Sequence, residues 1–217
     1  MNQERLPAHV LATRILPAIA PELAARLGFP PEMKSAALLS ASSDVIAYTA
    51  VDEATKKAAC QVAYARSCYG GSYTASTPLA GEFIGVLAGP TPEDVCCGLE
   101  AAREQIEDIL KIDTANREHT ILYYVDCISR CGTYLSKLCN VPEGDSLAFL
   151  IAPPLESLWG LDAVLKATDV RLCYFFGPPT ETNFGGGFVT GEQSACRNAC
   201  RVFGQAVEEV AAKPRTD

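Results

Sequence analysis

The stretch TAVDEATKKAACQVAYAR, residues 49–66, returns 110 residues later as WGLDAVLKATDVRLCYFF, residues 159–176. Asp52 falls on Asp162, Lys56 on Lys166, Val62 on Leu172 and Tyr64 on Tyr174. A second block continues the match at an offset of 101, with Phe83 on Phe184, Leu87 on Phe188, Val95 on Cys196, Leu99 on Cys200, Ala102 on Phe203 and Ile106 on Val207. The nine-residue difference places a longer connection inside CYGGSYTASTPLAG (68–81) than inside GPPTETNFGGG (177–187). Two copies of one unit, differing in one loop, is the economical reading.

Each copy reads as mixed α and β. Ala36 to Leu39 and Leu147 to Ala152 are short apolar runs suited to strands. Val51 to Ala59 and Leu161 to Thr168 carry apolar residues at helical spacing and lead into β-rich runs at CQVAYA and VRLCYFF. A glycine-bearing strand follows, FIGVLAG or FGGGFVTG. Then TPEDVCCGLEAAREQIEDIL opens with Thr91 as a cap, Pro92 at the first helical position and Asp94 three after the cap, and repeats apolar residues at 95, 99, 102, 106 and 109. Strand, helix, strand, strand, helix, twice over, predicts an α/β fold of two tandem α+β sandwiches, mostly antiparallel sheets with helices on one face, with domains at 1–112 and 113–217.

Composition limits what such a chain does. Its 217 residues are 48% hydrophobic, enough for one good core or two small ones. Eighteen Lys and Arg against 26 Asp and Glu leave a net charge of −8, and no basic patch stands out, so nucleic acid and anionic membranes are not expected partners. The start, MNQERLPAHVLATRILP, lacks a basic region followed by an unbroken apolar run, and no stretch reaches the roughly 18 apolar residues of a membrane helix, so a soluble cytoplasmic location is expected.

Ten cysteines need a reason. Without a secretory signal a disulfide framework is not expected, and neither a Cys-x-x-Cys nor more than two histidines is present to build a zinc or iron–sulfur site. Cys196 and Cys200 stand four apart, but their counterparts Val95 and Leu99 are plain core residues, so the pair reads as core filling. Cys127 and Cys131 lie outside the aligned blocks and leave thiol or metal chemistry open.

Catalytic machinery is close to absent. GPPTETNFGGG lacks the Gly-Lys-Ser/Thr ending of a phosphate loop and leads into a strand, where no helix N-terminus awaits an anion. No Ser-His-Asp set or metal tetrad assembles, and His119 sits in the polar run TANREHT. Two carboxylates, Asp44 and Glu82, lie in or beside polar turns, and Glu82 aligns with Asn183. A carboxylate present in one copy only is not demanded by the fold and is free to meet a ligand, a cationic one if the two converge. The residues alone therefore describe a duplicated α/β binding or assembly module. A regulatory module of duplicated ferredoxin-like domains and an enzyme using Cys127 and Cys131 both remain open.

A resemblance carries the reading further. LDAVLKATDVRLCYFF is similar to the helix-to-strand signature of bacterial microcompartment shell domains, and the helix from Thr91 to Leu110 resembles that family's second helix. Two such units, each entered at the strand before the signature helix, resemble the circularly permuted tandem shell proteins. The strings RLPAHVLATRIL, SASSDVIAYTAVDEATK, ARSCYGG, AGEF, IAPPLESLWGLDAVLKATDV, PPTETNF and TGEQSACRNAC extend the likeness to the ethanolamine-utilisation members of that family along essentially the whole chain.

The resemblance implies a non-enzymatic structural protein without cofactor or metal. It implies a homotrimer shaped like a hexagonal tile, partnered edge to edge with other shell proteins in the shell of a cytoplasmic microcompartment, with gated pores for metabolites. It further implies a small pore binding ethanolamine at Asp44 and Glu82, with Thr182 and Phe184 nearby. Ile112 stands where the family tends to have an aromatic, so any contact there comes from backbone. Tyr69, Glu181, Asn183 and Gly185 fall in the implied pore loops, and GPPTETNFGGG is read as facing a pore.

Overall fold

The structure, a computed structural model, describes residues 5–69 and 77–215. Part of the longer first-copy connection, and Gly70 and Gly71 of ARSCYGG, lie outside the described residues. The chain divides into two compact units. One comprises 7–110 together with Gly132–Leu135, and the other comprises 5–6, 111–131 and 136–215.

In the first unit, β2 (Val10–Leu16), α1 (Pro21–Arg26), β3 (Ser35–Ala41), α2 (Asp44–Lys57), β4 (Gln61–Ser67), β5 (Phe83–Gly89) and α3 (Pro92–Glu104) follow in order, and α3 runs on into a π-helical turn at Gln105–Ile109. The sheet order is β2-β3-β5-β4, antiparallel throughout. Helices α2 and α3 pack on each other and on the sheet. The expected cap is present: Thr91 Oγ1 accepts from the Asp94 N–H at 3.2 Å and donates to the Asp94 carboxylate at 2.7 Å. A capped N-terminus satisfies a donor the helix itself cannot pair.

The second unit repeats this plan with β7 (Leu122–Ile128), α4 (Thr133–Cys139, whose residues up to Leu135 group with the first unit), β8 (Leu147–Ala152), α5 (Pro154–Ala167), β9 (Arg171–Phe176), β10 (Gly185–Thr190) and α6 (Gln193–Ala212). Its sheet runs β7-β8-β10-β9, extended at one edge by β6 (Lys111–Thr114) and β1 (Leu6–Pro7). Its core joins Leu150 and Val189 on the strands to Leu161 and Val164 of α5 and to Cys196, Phe203 and Val207 of α6. On β8 and β10, Phe149 and Phe188 are register partners whose rings stack at 4.0 Å. Mixed α/β units with antiparallel sheets are as expected.

The duplication extends to an irregularity. In β4 the register slips between Val62 and Tyr64, and in β9 it slips between Leu172 and Tyr174, so Ala63 and Cys173 are the extra residues of matching bulges. These bulges correct the sequence alignment. Leu87 pairs with Val62 and Val189 with Leu172, so β5 and β10 correspond at an offset of 102, one residue beyond the 101 that the helices keep. Phe83 therefore answers to Gly185 rather than Phe184, Leu87 to Val189 rather than Phe188, and Glu82 to Phe184 rather than Asn183. Apolar matching could not see a one-residue slip where both copies are glycine-rich.

Two further expectations change. The helices read at 51–59 and 161–168 start seven residues earlier, because Asp44 to Ala50 and Pro154 to Gly160 already belong to α2 and α5. Gly185–Gly187 are not loop either: they open β10, buried between β8 and β9. Gly186 has φ +142°, and a Cβ there would overlap the Leu150 carbonyl. The need for glycine at this position is thus close strand packing.

Candidate functional site: a carboxylate pair at a helix start

Asp44 is the first residue of α2 and only 5% exposed. Its preceding residue, Ser43, is extended at φ −133° and ψ 126°, yet supplies no side-chain cap. The open donors of the helix start are met from elsewhere: the Glu82 carboxylate accepts from the Asp44 backbone N–H. Glu82 reaches that position because of the turn before β5. Gly81 adopts φ +60°, where a Cβ would overlap the Ala41 carbonyl, so glycine is required at this step. The Glu82 N–H donates to the Ala41 carbonyl at 3.0 Å and its own carbonyl accepts from the Cys68 N–H at 2.7 Å. With its main chain tied on both sides, Glu82 presents its side chain to the start of α2.

The electrostatics are adverse to two free charges. Burial pushes the Glu82 carboxyl up to about 7, the Asp44 charge pushes the same way, and only the Asp44 amide opposes them. Tyr48, one turn along α2 from Asp44, is raised by burial, while its hydrogen bond to Ser67 at 3.1 Å acts in the opposite direction and the Asp44 charge adds to the rise. Tyr48 packs edge-on against Phe83 at 5.2 Å between ring centres. A buried and a half-buried carboxylate beside an aromatic wall, with a proton held near neutrality, suit a small organic cation: its charge would let Glu82 ionise. Sequence reading missed Tyr48 and Ser67. Starting the helix at Asp44 would have placed Tyr48 one turn on, on the same face.

The structure brings Asp44 and Glu82 together. The other residues expected at the small pore belong to the second unit, where Ile112 is half-buried on β6 and Thr182 and Phe184 sit in the Thr180–Phe184 turn. That turn copies the Glu82 turn. Asn183 has φ +64° where Gly81 has +60°, and the Thr180 N–H donates to the Phe184 carbonyl at 2.8 Å as Cys68 does to Glu82. Phe184 therefore occupies the place of Glu82, and Pro154 that of Asp44. Glu181 and Asn183 are exposed, and Tyr69 is 54% exposed at the edge of the described segment.

Cys127, Cys131, Cys196 and Cys200 are structural in character, whereas a side-chain hydrogen bond with Cys139 lowers the Cys173 thiol. Cys196 is fully buried and pushed up to about 11, and burial also raises Cys200 and Cys127. Cys131 is buried and donates to the Pro142 carbonyl at 3.4 Å. Raised thiols are poor nucleophiles. Among the described residues, no three His, Cys, Asp or Glu side chains gather closely enough to hold a metal ion.

No family model matches the chain. Its relatives are nonetheless clear. It is 49% identical over 214 residues, 99% of each chain, to the bacterial microcompartment shell protein EutL of Clostridium perfringens, and 42% identical over 205 residues, 94% of each chain, to EutL of Escherichia coli. The crystal structure of the ethanolamine utilization protein EutL from Leptotrichia buccalis superposes with a TM-score of 0.97 at 53% identity, covering 100% of both chains. The trimeric microcompartment shell protein PduB, at 15% identity and a TM-score of 0.73, shares the fold. The duplicated fold is therefore that of tandem-domain microcompartment shell proteins, structural proteins rather than enzymes. More narrowly, the chain belongs to the EutL family of bacterial microcompartment shell proteins. A thiol enzyme and a stand-alone regulatory module are both set aside by relatives that match along its whole length.

Proposed function

We propose that the chain forms a homotrimer that tiles the microcompartment shell edge to edge with other shell proteins, and that the Asp44–Glu82 pair binds ethanolamine as its cation. The single observation that carries the ligand assignment is the convergence of the Glu82 and Asp44 carboxylates at the start of α2, where burial pushes the Glu82 carboxyl up. An ammonium group placed between them replaces a proton and is favoured over neutral solutes such as an aldehyde. Thr182 and Phe184, with backbone near Ile112, complete the small pore in this reading. Tyr69, Glu181 and Asn183 line the larger pore, with Gly185 contributing only as the strand end that anchors its loop. Occupancy by ethanolamine favours the closed arrangement of the larger pore, which requires a higher affinity for that arrangement than for the open one.

The trimeric reading is supported by the family and by the two-copy fold, since three chains of two units would supply the six positions of a hexagonal tile. The test is calorimetric titration of ethanolamine into the wild-type chain, Glu82→Gln and, as a control, Glu181→Gln. The expected result is binding by the wild type and Glu181→Gln, with affinity lowered at least tenfold in Glu82→Gln. Equal binding by all three would remove the assignment.

A further inference from the structure

The two copies differ at one more pair of positions. Helices α1 and α4 hold matching places after β2 and β7, and each is followed by a left-handed residue, Gly28 at φ +74° and Asn140 at φ +51°. The residues just before these steps, Leu27 and Cys139, therefore answer to each other. The bulges of β4 and β9 likewise match Ala63 to Cys173. Leu27 packs on an apolar cluster of Ile19, Ala36 and Val86, as a plain core residue does. In the second copy both positions carry thiols, and these two thiols are hydrogen-bonded to each other. Leucine and alanine serve the fold at these places in the first copy, so the fold does not require sulfur there.

Cys173 is set up as a reactive thiol. It is the extra residue of a bulge on β9, the edge strand of its sheet, and it is half-buried, while Cys139 ends α4 and is 1% exposed. The hydrogen bond from Cys139 lowers the Cys173 thiol most; burial opposes it, and the Arg171 charge and the amides of Cys173 and Tyr174 again favour the thiolate. When neutral, Cys173 donates to the Phe188 carbonyl at 3.2 Å. Nearby Cys196 is different: it is fully buried, raised to about 11, and donates to the Ser146 and Gly191 carbonyls at 3.6 Å. A lowered thiol within reach of solvent, with a second thiol in contact to resolve its sulfenic acid, is the arrangement of a reversible redox site.

We propose that Cys139 and Cys173 form a redox-active dithiol, which a small hydroperoxide converts to an intrachain disulfide. The Cys173 thiolate attacks one peroxide oxygen, the O–O bond breaks, and the released hydroxide takes up the proton that Cys173 gave up and leaves as water, which makes Cys173 a sulfenic acid. The Cys139 sulfur then attacks the sulfenic sulfur, the S–O bond breaks, and the hydroxyl leaves with the Cys139 proton as a second water. The two thiols lose two electrons and the peroxide gains them. The new bond fastens the end of α4 to β9 inside the second unit. The segment that opens α4 is held differently, by Asp52, which accepts from the Gly132 N–H at 2.6 Å and the Leu135 N–H at 2.9 Å.

The test treats the reduced full chain with hydrogen peroxide at neutral pH, alkylates the remaining thiols, digests with trypsin in the absence of reductant and reads the products by tandem mass spectrometry. The expected product joins peptide 138–166 to peptide 172–197, lighter by two hydrogens, with fragments that place the bond at Cys173 rather than Cys196, and on a non-reducing gel it runs as a single chain. Cys173 should be consumed at least about tenfold faster than Cys127, whose thiol is raised by burial. In Cys139→Ser the crosslink should give way to a sulfenic acid at Cys173 that dimedone captures. Cys139 and Cys173 both still open to alkylation once the exposed Cys97 has been oxidised, or a bond from either to Cys196 or to another chain, would overturn the pair.

Discussion

The turn Ala80-Gly81-Glu82-Phe83 and the turn Thr182-Asn183-Phe184-Gly185 have one backbone and opposite chemistry. Both place a left-handed residue before the position that Glu82 holds in the first copy, and both tie that position's carbonyl to an amide of the preceding loop. In the first copy it is a carboxylate beside Asp44, and in the second a phenyl ring, with Pro154 in the place of Asp44. The fold thus fixes the position and leaves the side chain free. The same contrast governs α2 and α5, where Asp52 is buried on amides and Asp162 is exposed on Lys166. What differs between duplicated units marks what each unit does beyond folding.

The largest effect is expected at that second contrast. Asp52→Ala leaves the Gly132 and Leu135 amides without their acceptor inside the protein and should cost about 3 kcal/mol in urea unfolding, whereas Asp162→Ala, at a surface pair, should stay within about 0.5 kcal/mol when measured on unassembled chain. Equal costs would break the comparison. Next is the turn itself. Gly81→Ala forces a Cβ into the Ala41 carbonyl and should destabilise by about 2 kcal/mol while weakening ethanolamine binding, and Asn183→Gly, at the matching φ, should be within about 0.5 kcal/mol of wild type in the same thermal or urea assay.

The pH dependence sharpens the first contrast. Glu82 is raised in the folded chain, so its contribution to stability is fully present below its unfolded pKa, near 4.5, and is lost as pH rises toward about 7. Relative to Glu82→Gln, the unliganded wild type should therefore lose stability over that window, while Phe184→Gln should show no such slope. Ethanolamine binding runs the other way, because only ionised Glu82 attracts the cation: affinity should fall by up to about tenfold per pH unit below 7. The smallest effect concerns the second helices. Thr91 caps α3, while α6 begins after Glu192 with no side-chain cap. Thr91→Ala should cost about 1 kcal/mol, and Glu192→Ser should add a few tenths.

Much of this was legible in the residues. Periodicity and the repeat gave two mixed units, and the Thr91-Pro92-Asp94 signal marked a helix start that the structure reproduces. The starts of α2 and α5 were not legible, because Ser-Ser-Asp and Pro-Pro-Leu-Glu-Ser look like turns until packing is known. Strand register was lost for a related reason: Gly85 and Gly185–Gly187 have no side chains to align, and their burial is decided by neighbouring strands. Asp44 and Glu82 could be named because a carboxylate absent from the sister copy stood out. Their meeting could not be derived, since it depends on the left-handed step at Gly81 and on a helix that begins at Asp44. Tyr48 and Asp52 were hidden by their α-helical context, where only the fold reveals which face is covered.

The most direct measurement is a carbon-13 NMR titration of the Glu82 carboxyl, with and without saturating ethanolamine, using Glu82→Gln to assign the signal. A midpoint near 7 is expected in the free protein, with a fall of at least one unit when ethanolamine is present. A midpoint in the ordinary glutamate range, unmoved by ethanolamine, would contradict it.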